Sequence, residues 1–331
     1  MATGKHEHLI KPLSIGLKNW DKSAASVIGP GNAKKEVWLN GKDQLEGLNL
    51  NFSWGVHNTL GEWHAGSKSH SHPYPECLFF VGLDTANVNY LGAEIDFCLG
   101  DERETYTFND PTVIIIPAGI PHGPISTKRL FSPKGFGFFA VDLNATFDIS
   151  WSKEKTPETK PLQSTGKYAH LTKSLKSGLI TERKKFVPSR FTPEQLAQRE
   201  EMQKKTGFKP GPGNADHMTW MYGRDLGGLN ANVAWGFASQ PGVWQRGVNA
   251  HAHPEDEILI YMGTDPDNVD YLGAEIEIDL GKEHERYLFD RSSAIVCPAG
   301  VPHGPIVTRW VDKPFAFLLI NLAGDVTMSF D

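Results

Sequence analysis

The chain has 331 residues and a formal net charge of −6, and it is long enough for one large domain or two domains of about 150 residues. The small excess of acidic residues excludes the basic surface of most nucleic-acid-binding proteins, and no apolar run reaches the ~20 residues of a membrane span. The N-terminal residues contain no apolar stretch of signal-peptide length. We therefore expect a cytoplasmic protein without a nucleic-acid or membrane partner.

The chain contains an internal repeat. Residues 90–125 and 271–306 are identical at 21 of 36 positions, without a gap and at a constant offset of 181. The same offset relates Trp54 to Trp235. Because a repeat of this length is the signature of a duplicated domain, we predict two domains of one fold, residues 1–165 and residues 166–331.

Each repeat has the pattern of a β domain. Short apolar runs recur at matching places in the two copies, at 78–82, 113–116 and 136–143, and then at 259–263, 294–296 and 315–322. Short apolar runs bounded by glycine and proline are typical of buried strands. The sequence therefore predicts an all-β chain made of closed barrels or sandwiches.

One segment of the second repeat has no counterpart in the first. Upstream of the matched region the offset falls from 181 to 162, which places an insertion of about 20 residues around 185–208. Thr192-Pro193-Glu194-Gln195 supplies an N-cap, a proline at the first helical position and a capping-box glutamine. We predict a short helix there, within a basic connecting arm at about 166–214 that we interpret as a solvated surface segment.

Three histidines and one glutamate occur at equivalent positions in both repeats. They are His70, His72, Glu76 and His122 in the first, and His251, His253, Glu257 and His303 in the second. Residues two apart on a strand point to one face, so each His-x-His pair projects two imidazoles to the same side, and the glutamate four residues later has the same parity. One such motif is weak evidence, but two complete sets predict two metal sites. Three imidazoles and a carboxylate suit divalent Fe, Mn, Ni, Zn or Cu.

The surrounding motifs resemble the cupin superfamily, and in particular a bicupin with two cupin barrels in one chain. HSHPYPE and HAHPEDE, each with a glycine six residues after the glutamate, look like the first cupin motif, and PAGIPH and PAGVPH look like the second. The resemblance covers about 48–145 and 229–325. It implies two tandem double-stranded β-helix (jelly-roll) barrels, joined here by the helical insertion, with the three histidines and the glutamate of each barrel holding a metal inside it.

Repeated aromatic residues are candidates for the walls of a substrate pocket. These candidates are Trp63, Phe80, Tyr90, Trp244, Tyr261 and Tyr271. Phe80 and Tyr261 share the strand parity of the glutamates and should point inward, whereas core packing is the alternative role for the two tryptophans. The sequence identifies no catalytic residue. The three cysteines, Cys77, Cys98 and Cys297, match no disulfide or zinc pattern and are expected to be buried and inert.

The ligand sets favour an enzyme that binds a small oxygen-rich organic substrate directly on a divalent metal. With Fe(II) and O2 the chemistry is dioxygenase-type cleavage, which we favour slightly; with Mn, Ni or Zn it is that of a decarboxylase, lyase or isomerase. A non-enzymatic small-molecule or metal-binding cupin is the other alternative, because fold does not settle function. A homo-oligomer is compatible with either.

The two predicted sites are not expected to be equivalent. Glu255 and Asp256 lie beside the second set, where the first has Tyr74 and Pro75. Added negative charge attracts a cation, so the second site is expected to hold its metal more tightly.

Overall fold

The computed structural model describes residues 4–19, 28–64, 68–152, 166–177, 179–182, 215–244 and 250–330, together with the single residues 197, 201 and 204. Nearly all the regular elements within these ranges are β-strands, which confirms the predicted all-β class. The helix predicted from Thr192 lies almost wholly outside the described residues. Only Ala197, Glu201 and Lys204 of that segment are described, and each is helical and exposed.

The strands follow one another in the same order in the two repeats. The first thirteen are β1 (Ile10–Pro12), β2 (Leu17–Asn19), β3 (Lys35–Leu39), β4 (Asn51–His57), β5 (Gly61–Glu62), β6 (His70–Ser71), β7 (Glu76–Val81), β8 (Ala93–Leu99), β9 (Glu104–Phe108), β10 (Thr112–Ile116), β11 (His122–Leu130), β12 (Phe136–Asp142) and β13 (Ser150–Trp151). The others are β14 (Thr172–Ser174), β15 (Leu179–Glu182), β16 (Ala215–Met221), β17 (Asn232–Ala238), β18 (Gly242–Val243), β19 (His251–Ala252), β20 (Glu257–Met262), β21 (Tyr271–Leu280), β22 (Glu285–Arg291), β23 (Ser293–Cys297), β24 (His303–Val311), β25 (Phe315–Asn321) and β26 (Ser329–Phe330).

Helical structure is confined to short pieces in the described ranges. One α-helical turn, α1 (Gly41–Gln44), begins after Asn40, whose side chain accepts a hydrogen bond from the Asp43 backbone N–H. The 3₁₀ turns are Glu7–Leu9, Leu13–Gly16, Ala169–Leu171 and Leu175–Ser177. No helix among the described residues has the length and apolar character needed to cross a membrane.

The chain divides into two compact units, which we call the first barrel (residues 14–177 and 265–267) and the second barrel (residues 1–13, 178–264 and 268–331). Each contains a seven-stranded and a six-stranded antiparallel sheet. The seven-stranded sheet of the first barrel has the order β14-β10-β7-β12-β4-β3-β2, and that of the second has the equivalent order β1-β23-β20-β25-β17-β16-β15. This arrangement confirms the predicted pair of jelly-roll barrels.

The predicted boundary between the two domains lies between residues 165 and 166. The compact units depart from it in the strands at the edges of their sheets. Strand β1 pairs with β23 of the second repeat, and β14 pairs with β10 of the first. Sequence similarity identifies equivalent segments but not the partner to which each is hydrogen-bonded. Residues 1–13 therefore belong to the second barrel, and residues 166–177 belong to the first.

Apolar side chains from both sheets fill each barrel. Every residue of β4 and β7 is buried, as is every residue of β17 and β20. In the first barrel Trp63, Phe80, Phe97 and Phe136 belong to one apolar cluster. All three cysteines are buried and free, as expected. Burial raises the pKa of the Cys98 thiol to about 11, so it is not a thiolate at neutral pH.

Candidate metal centres

Three of the predicted ligands of the first barrel are the first residues of strands. His70 begins β6, Glu76 begins β7 and His122 begins β11. In the ladder His122 lies directly opposite His70, which brings the second motif against the first. The three histidines offer ligand atoms that all lie within 4.8 Å of one another.

A glutamate lies beside the histidines of each set, and in the second barrel all four donor atoms lie within 4.8 Å of one another. In the first barrel Glu76 Oε2 lies 3.2 Å from His122 Nε2 and 3.9 Å from His72 Nε2. In the second barrel Glu257 Oε2 lies 2.9 Å from His303 Nε2 and 3.4 Å from His253 Nε2. Donor atoms about 2.1 Å from one shared ion lie about 3 Å apart when they are at right angles. The separations of Glu76 from His122 and of Glu257 from its two histidines are close to that size, and that of Glu76 from His72 is longer.

Backbone carbonyls select the tautomer of four of the imidazoles. In the first barrel, Nδ1 of His72 donates to the Asp148 carbonyl over 2.7 Å, and Nδ1 of His122 donates to the Ile120 carbonyl over 3.1 Å. In the second barrel, Nδ1 of His253 donates to the Thr327 carbonyl over 2.6 Å, and Nδ1 of His303 donates to the Val301 carbonyl over 3.1 Å. A carbonyl only accepts, so Nδ1 carries a proton and Nε2 is the ring nitrogen available to a metal. Such outer hydrogen bonds are typical of metal-binding histidines.

Several of the inward-facing polar atoms lack a hydrogen-bond partner among the described residues. They are buried, and they include Nε2 of His122, His253 and His303 and Oε2 of Glu76. Leaving such atoms without a partner costs free energy. The cost disappears if a cation accepts their lone pairs, so the donor set fits a divalent transition metal.

Burial keeps the first histidine of each set, His70 and His251, in its neutral form. Burial, reinforced by the neighbouring imidazoles, lowers the pKa of His70 well below its ordinary value. Burial and the nearby His303 lower the pKa of His251 in the same way. Neutral imidazole is the form that binds a metal.

Each ligand set lies in a cavity. In addition to its ligands, the first cavity is lined by Asn32, Glu36, Trp38, Ser53, Trp54, Gly55, Trp63, His64, Leu78, Ile125, Phe138, Ala140, Asp142, Phe147 and Ile149. The second cavity is lined, apart from its ligands, by Met218, Trp220, Trp244, Leu259, Ile306, Phe317, Leu319, Val326 and Met328. The first wall carries several polar side chains, whereas the second is apolar.

Solved structures of similar fold are bicupin enzymes. An arginine-to-alanine mutant of Bacillus subtilis oxalate decarboxylase matches 97% of this chain and 78% of its own, with a TM-score of 0.56 and 11% identity. Lactobacillus farciminis oxalate decarboxylase in complex with formate matches 95% of this chain and 88% of its own, with a TM-score of 0.54 and 10% identity. The chain folds as a bicupin. No protein-family model and no curated protein matches the sequence.

Two of the predicted pocket residues line the cavities of the bicupin. Trp63 and Trp244 each lie against a ligand set, and each donates its indole N–H to a buried threonine, Thr127 over 2.9 Å and Thr308 over 3.0 Å. Trp63 also stacks on His57 with ring centroids 3.7 Å apart. The tryptophans therefore serve both the core and the pocket.

The other four predicted pocket residues lie away from the walls of these two cavities. Phe80 and Tyr261 point inward but are absent from the cavity walls formed by the described residues. They lie four residues beyond the glutamates, about 13 Å along the strand, and are completely buried. Tyr90 is 37% exposed, and the Tyr271 hydroxyl donates to Asp312 at the surface. Strand parity identifies the face of a side chain but not its depth in the barrel.

The expected charge difference between the two sites is also corrected. Within the described part of the chain, the second cavity is lined by neither Glu255 nor Asp256, and the Asp256 carboxylate accepts a hydrogen bond from the Ala299 backbone N–H. The additional carboxyls, Glu36 and Asp142, line the first cavity instead. The wall of the first cavity therefore contains more acidic groups than that of the second.

Glu36 and Asp142 are not among the site residues predicted from the sequence. Asp142 lies opposite Glu76 in the ladder, as Asn321 lies opposite Glu257, so the two residues are equivalent. The sequence does contain a signal for this residue, because the first repeat has an aspartate, Asp142, where the second has an asparagine, Asn321. For Glu36 the changing offset upstream of the matched region concealed the equivalent position.

A buried histidine beside the first cavity makes the stability of the metal-free protein depend on pH. Burial lowers the pKa of His57 to about 3, and its Nδ1 donates to the Gly31 carbonyl over 3.1 Å. An unfolded histidine has a pKa of about 6.5, so between these values the unfolded chain binds a proton that the folded chain does not. We predict that this residue lowers the free energy of unfolding by about 1.4 kcal/mol per pH unit as the pH falls from about 6 to 4.

The measurement is urea unfolding at several pH values in the presence of a chelator. His57→Ala, which introduces the residue found at the equivalent Ala238, should have a shallower pH dependence than the wild type by that amount. His170→Ala, at an exposed histidine, should leave the slope unchanged. Equal slopes for His57→Ala and the wild type would contradict the prediction.

Proposed function

We propose that this bicupin is a metal-dependent enzyme that cleaves a carbon–carbon bond of a small oxygen-rich acid, in the manner of a decarboxylase, with the substrate bound directly to a divalent metal. The observation that carries the proposal is the pair of complete three-histidine, one-glutamate sets, each buried in a cavity. The similarity in fold to oxalate decarboxylases supports it. Another structure of Bacillus subtilis oxalate decarboxylase is described as having Mn(II) centres, and we propose Mn(II) here.

The residues of the first cavity have separable tasks. His70, His72, Glu76 and His122 would hold the metal, which supplies a Lewis acid that polarises a carboxylate or carbonyl oxygen. Four protein donors leave coordination positions for substrate oxygens. Trp63, Ile125 and Phe138 line the cavity beside these donors. Their apolar surfaces limit water near the reacting bond and so strengthen electrostatic interactions there.

Dioxygenase-type cleavage is the second candidate. It is favoured by the wall of the second cavity, where Trp220, Trp244 and Phe317 lie around the ligand set. Such a wall suits an aromatic enediol better than a small polar acid. The same donor set also suits Fe(II).

The test is metal analysis of protein purified without added metal, followed by assays of oxalate and 2-oxo acids for CO2 release and O2 consumption. The proposal predicts bound Mn and release of CO2 without net consumption of O2. Bound Fe with O2 consumed in proportion to an enediol substrate would establish the second candidate instead. Protein that binds neither metal would contradict both.

A further inference from the structure

The two cavities differ at one equivalent wall position. Glu36 on β3 lies opposite Gly55, and Met218 on β16 lies opposite Gly236. The two glycines are related by the offset of 181 residues, so Glu36 and Met218 occupy the same place in their barrels. Both line the cavity that contains the ligand set. The first cavity therefore has a carboxylate where the second has a thioether.

The Glu36 carboxylate is held in a defined position. Trp38 donates its indole N–H to Oε2 over 3.0 Å, and the Asn32 amide donates to Oε1 over 3.4 Å. His57 Nε2 lies 3.8 Å from Oε1. The residue is only 8% exposed. A buried carboxylate supported in this way is a pre-positioned hydrogen-bond acceptor.

The second barrel lacks the corresponding polar surroundings within its described residues. The offset of 181 places Ala234 at the position of Ser53 and Ala238 at the position of His57. Trp220, the counterpart of Trp38, directs its indole N–H to Asn232 over 3.0 Å. The wall around Met218 is completed by Leu319, Val326 and Met328. This wall suits an apolar group of a ligand.

We propose that Glu36 determines substrate specificity in the first cavity by accepting a hydrogen bond from a hydroxyl group at the end of the substrate that is remote from the metal. The first cavity then selects hydroxylated acids and rejects acids that end in a second carboxylate, because a buried carboxylate repels another anion. The second cavity, with Met218, prefers an apolar end. The inference rests on the direct coordination proposed above.

The test compares three 2-oxo acids that are alike at the metal-binding end. At the same position 2-oxovalerate has a methyl group, 4-hydroxy-2-oxobutyrate a hydroxyl and 2-oxoglutarate a carboxylate. The protein is loaded with Co(II), and binding is followed through the metal absorption spectrum, so no turnover is needed. The double variant His251→Ala with His253→Ala confines the signal to the first site, and His70→Ala with His72→Ala confines it to the second.

The first cavity should bind the hydroxyl compound on the order of tenfold more tightly than the methyl compound, and the carboxylate compound most weakly. The second cavity should prefer the methyl compound. Glu36→Met should give the first cavity the same order of affinities for the three acids as the second cavity has. Glu36→Gln, which keeps the shape of the side chain, should remove the rejection of 2-oxoglutarate. Glu94→Gln, at a glutamate whose carboxylate pairs with Arg129, should change nothing.

Equal affinities of the first cavity for the hydroxyl and methyl compounds would overturn the inference. So would an order of affinities that both Glu36 variants leave unchanged. A changed order in Glu94→Gln would also overturn it, because the effect would then not belong to the cavity wall. If Co(II) binds but no acid alters its spectrum in either cavity, direct coordination itself is wrong and the inference falls with it. That outcome is distinct from a failure at Glu36 alone.

Discussion

The double variant His70→Ala with His72→Ala is expected to bind about one metal ion per chain where the wild type binds two. These imidazoles are two of the four donors in the first barrel, and the buried carboxylate of Glu76 cannot hold a cation with His122 alone. The second barrel contains a complete set of its own. His251→Ala with His253→Ala should therefore have the same effect on the other site. Elemental analysis of dialysed protein measures both.

His64→Ala is the matched control for the first pair. His64 lines the same cavity, and its ring lies 6.1 Å from that of His70. It is not one of the residues whose donor atoms converge within the described structure. The control should keep both metals. A double variant that retains the wild-type metal content would show that its barrel does not use these histidines as ligands.

Gly82→Ala is expected to destabilise the first barrel by about 3 kcal/mol. Gly82 is the glycine six residues after Glu76, and a Cβ atom built there would lie 1.8 Å from the Tyr90 carbonyl oxygen. That oxygen belongs to the backbone, so the clash cannot be relieved by a change of rotamer. Gly263 in the second barrel has the same relation to Tyr271, at 1.9 Å.

Gly324→Ala provides the comparison. The nearest atom to a Cβ at Gly324 is a carbonyl oxygen at 3.5 Å, an ordinary van der Waals contact, so the free energy of unfolding should change by less than about 0.5 kcal/mol. Urea unfolding followed by circular dichroism measures both variants. If Gly82→Ala were no less stable than Gly324→Ala, the close approach of the Tyr90 carbonyl oxygen would not require a glycine at position 82.

The fold and the eight candidate ligands could be predicted because their signals are local and duplicated. A His-x-His pair, a glutamate of the same parity and a histidine after a tight turn all fall within short segments of the sequence. The repeat contains the same pattern a second time, with the same four residue types retained. The ladder adds what no local pattern contains, namely that His122 lies directly opposite His70.

Depth and long-range pairing could not be predicted in the same way. Phe80 has the correct parity but lies too far along its strand to reach the cavity, since alternation has a period of two and carries no information on distance from the barrel mouth. The partner of β1 is likewise unspecified, because three residues make a short edge strand with no distinctive pattern. Glu36 was missed for a similar reason. Its importance depends on Met218 occupying the equivalent place in the second barrel.

The central claim is that both ligand sets bind a divalent metal, and anomalous diffraction tests it most directly. Crystals of protein loaded with Mn(II) should be measured on both sides of the metal absorption edge. We predict two anomalous peaks per chain, one about 2.0–2.3 Å from the donor atoms of His70, His72, Glu76 and His122, and one at the same distance from those of His251, His253, Glu257 and His303. Crystals with no peak at either set would contradict the account.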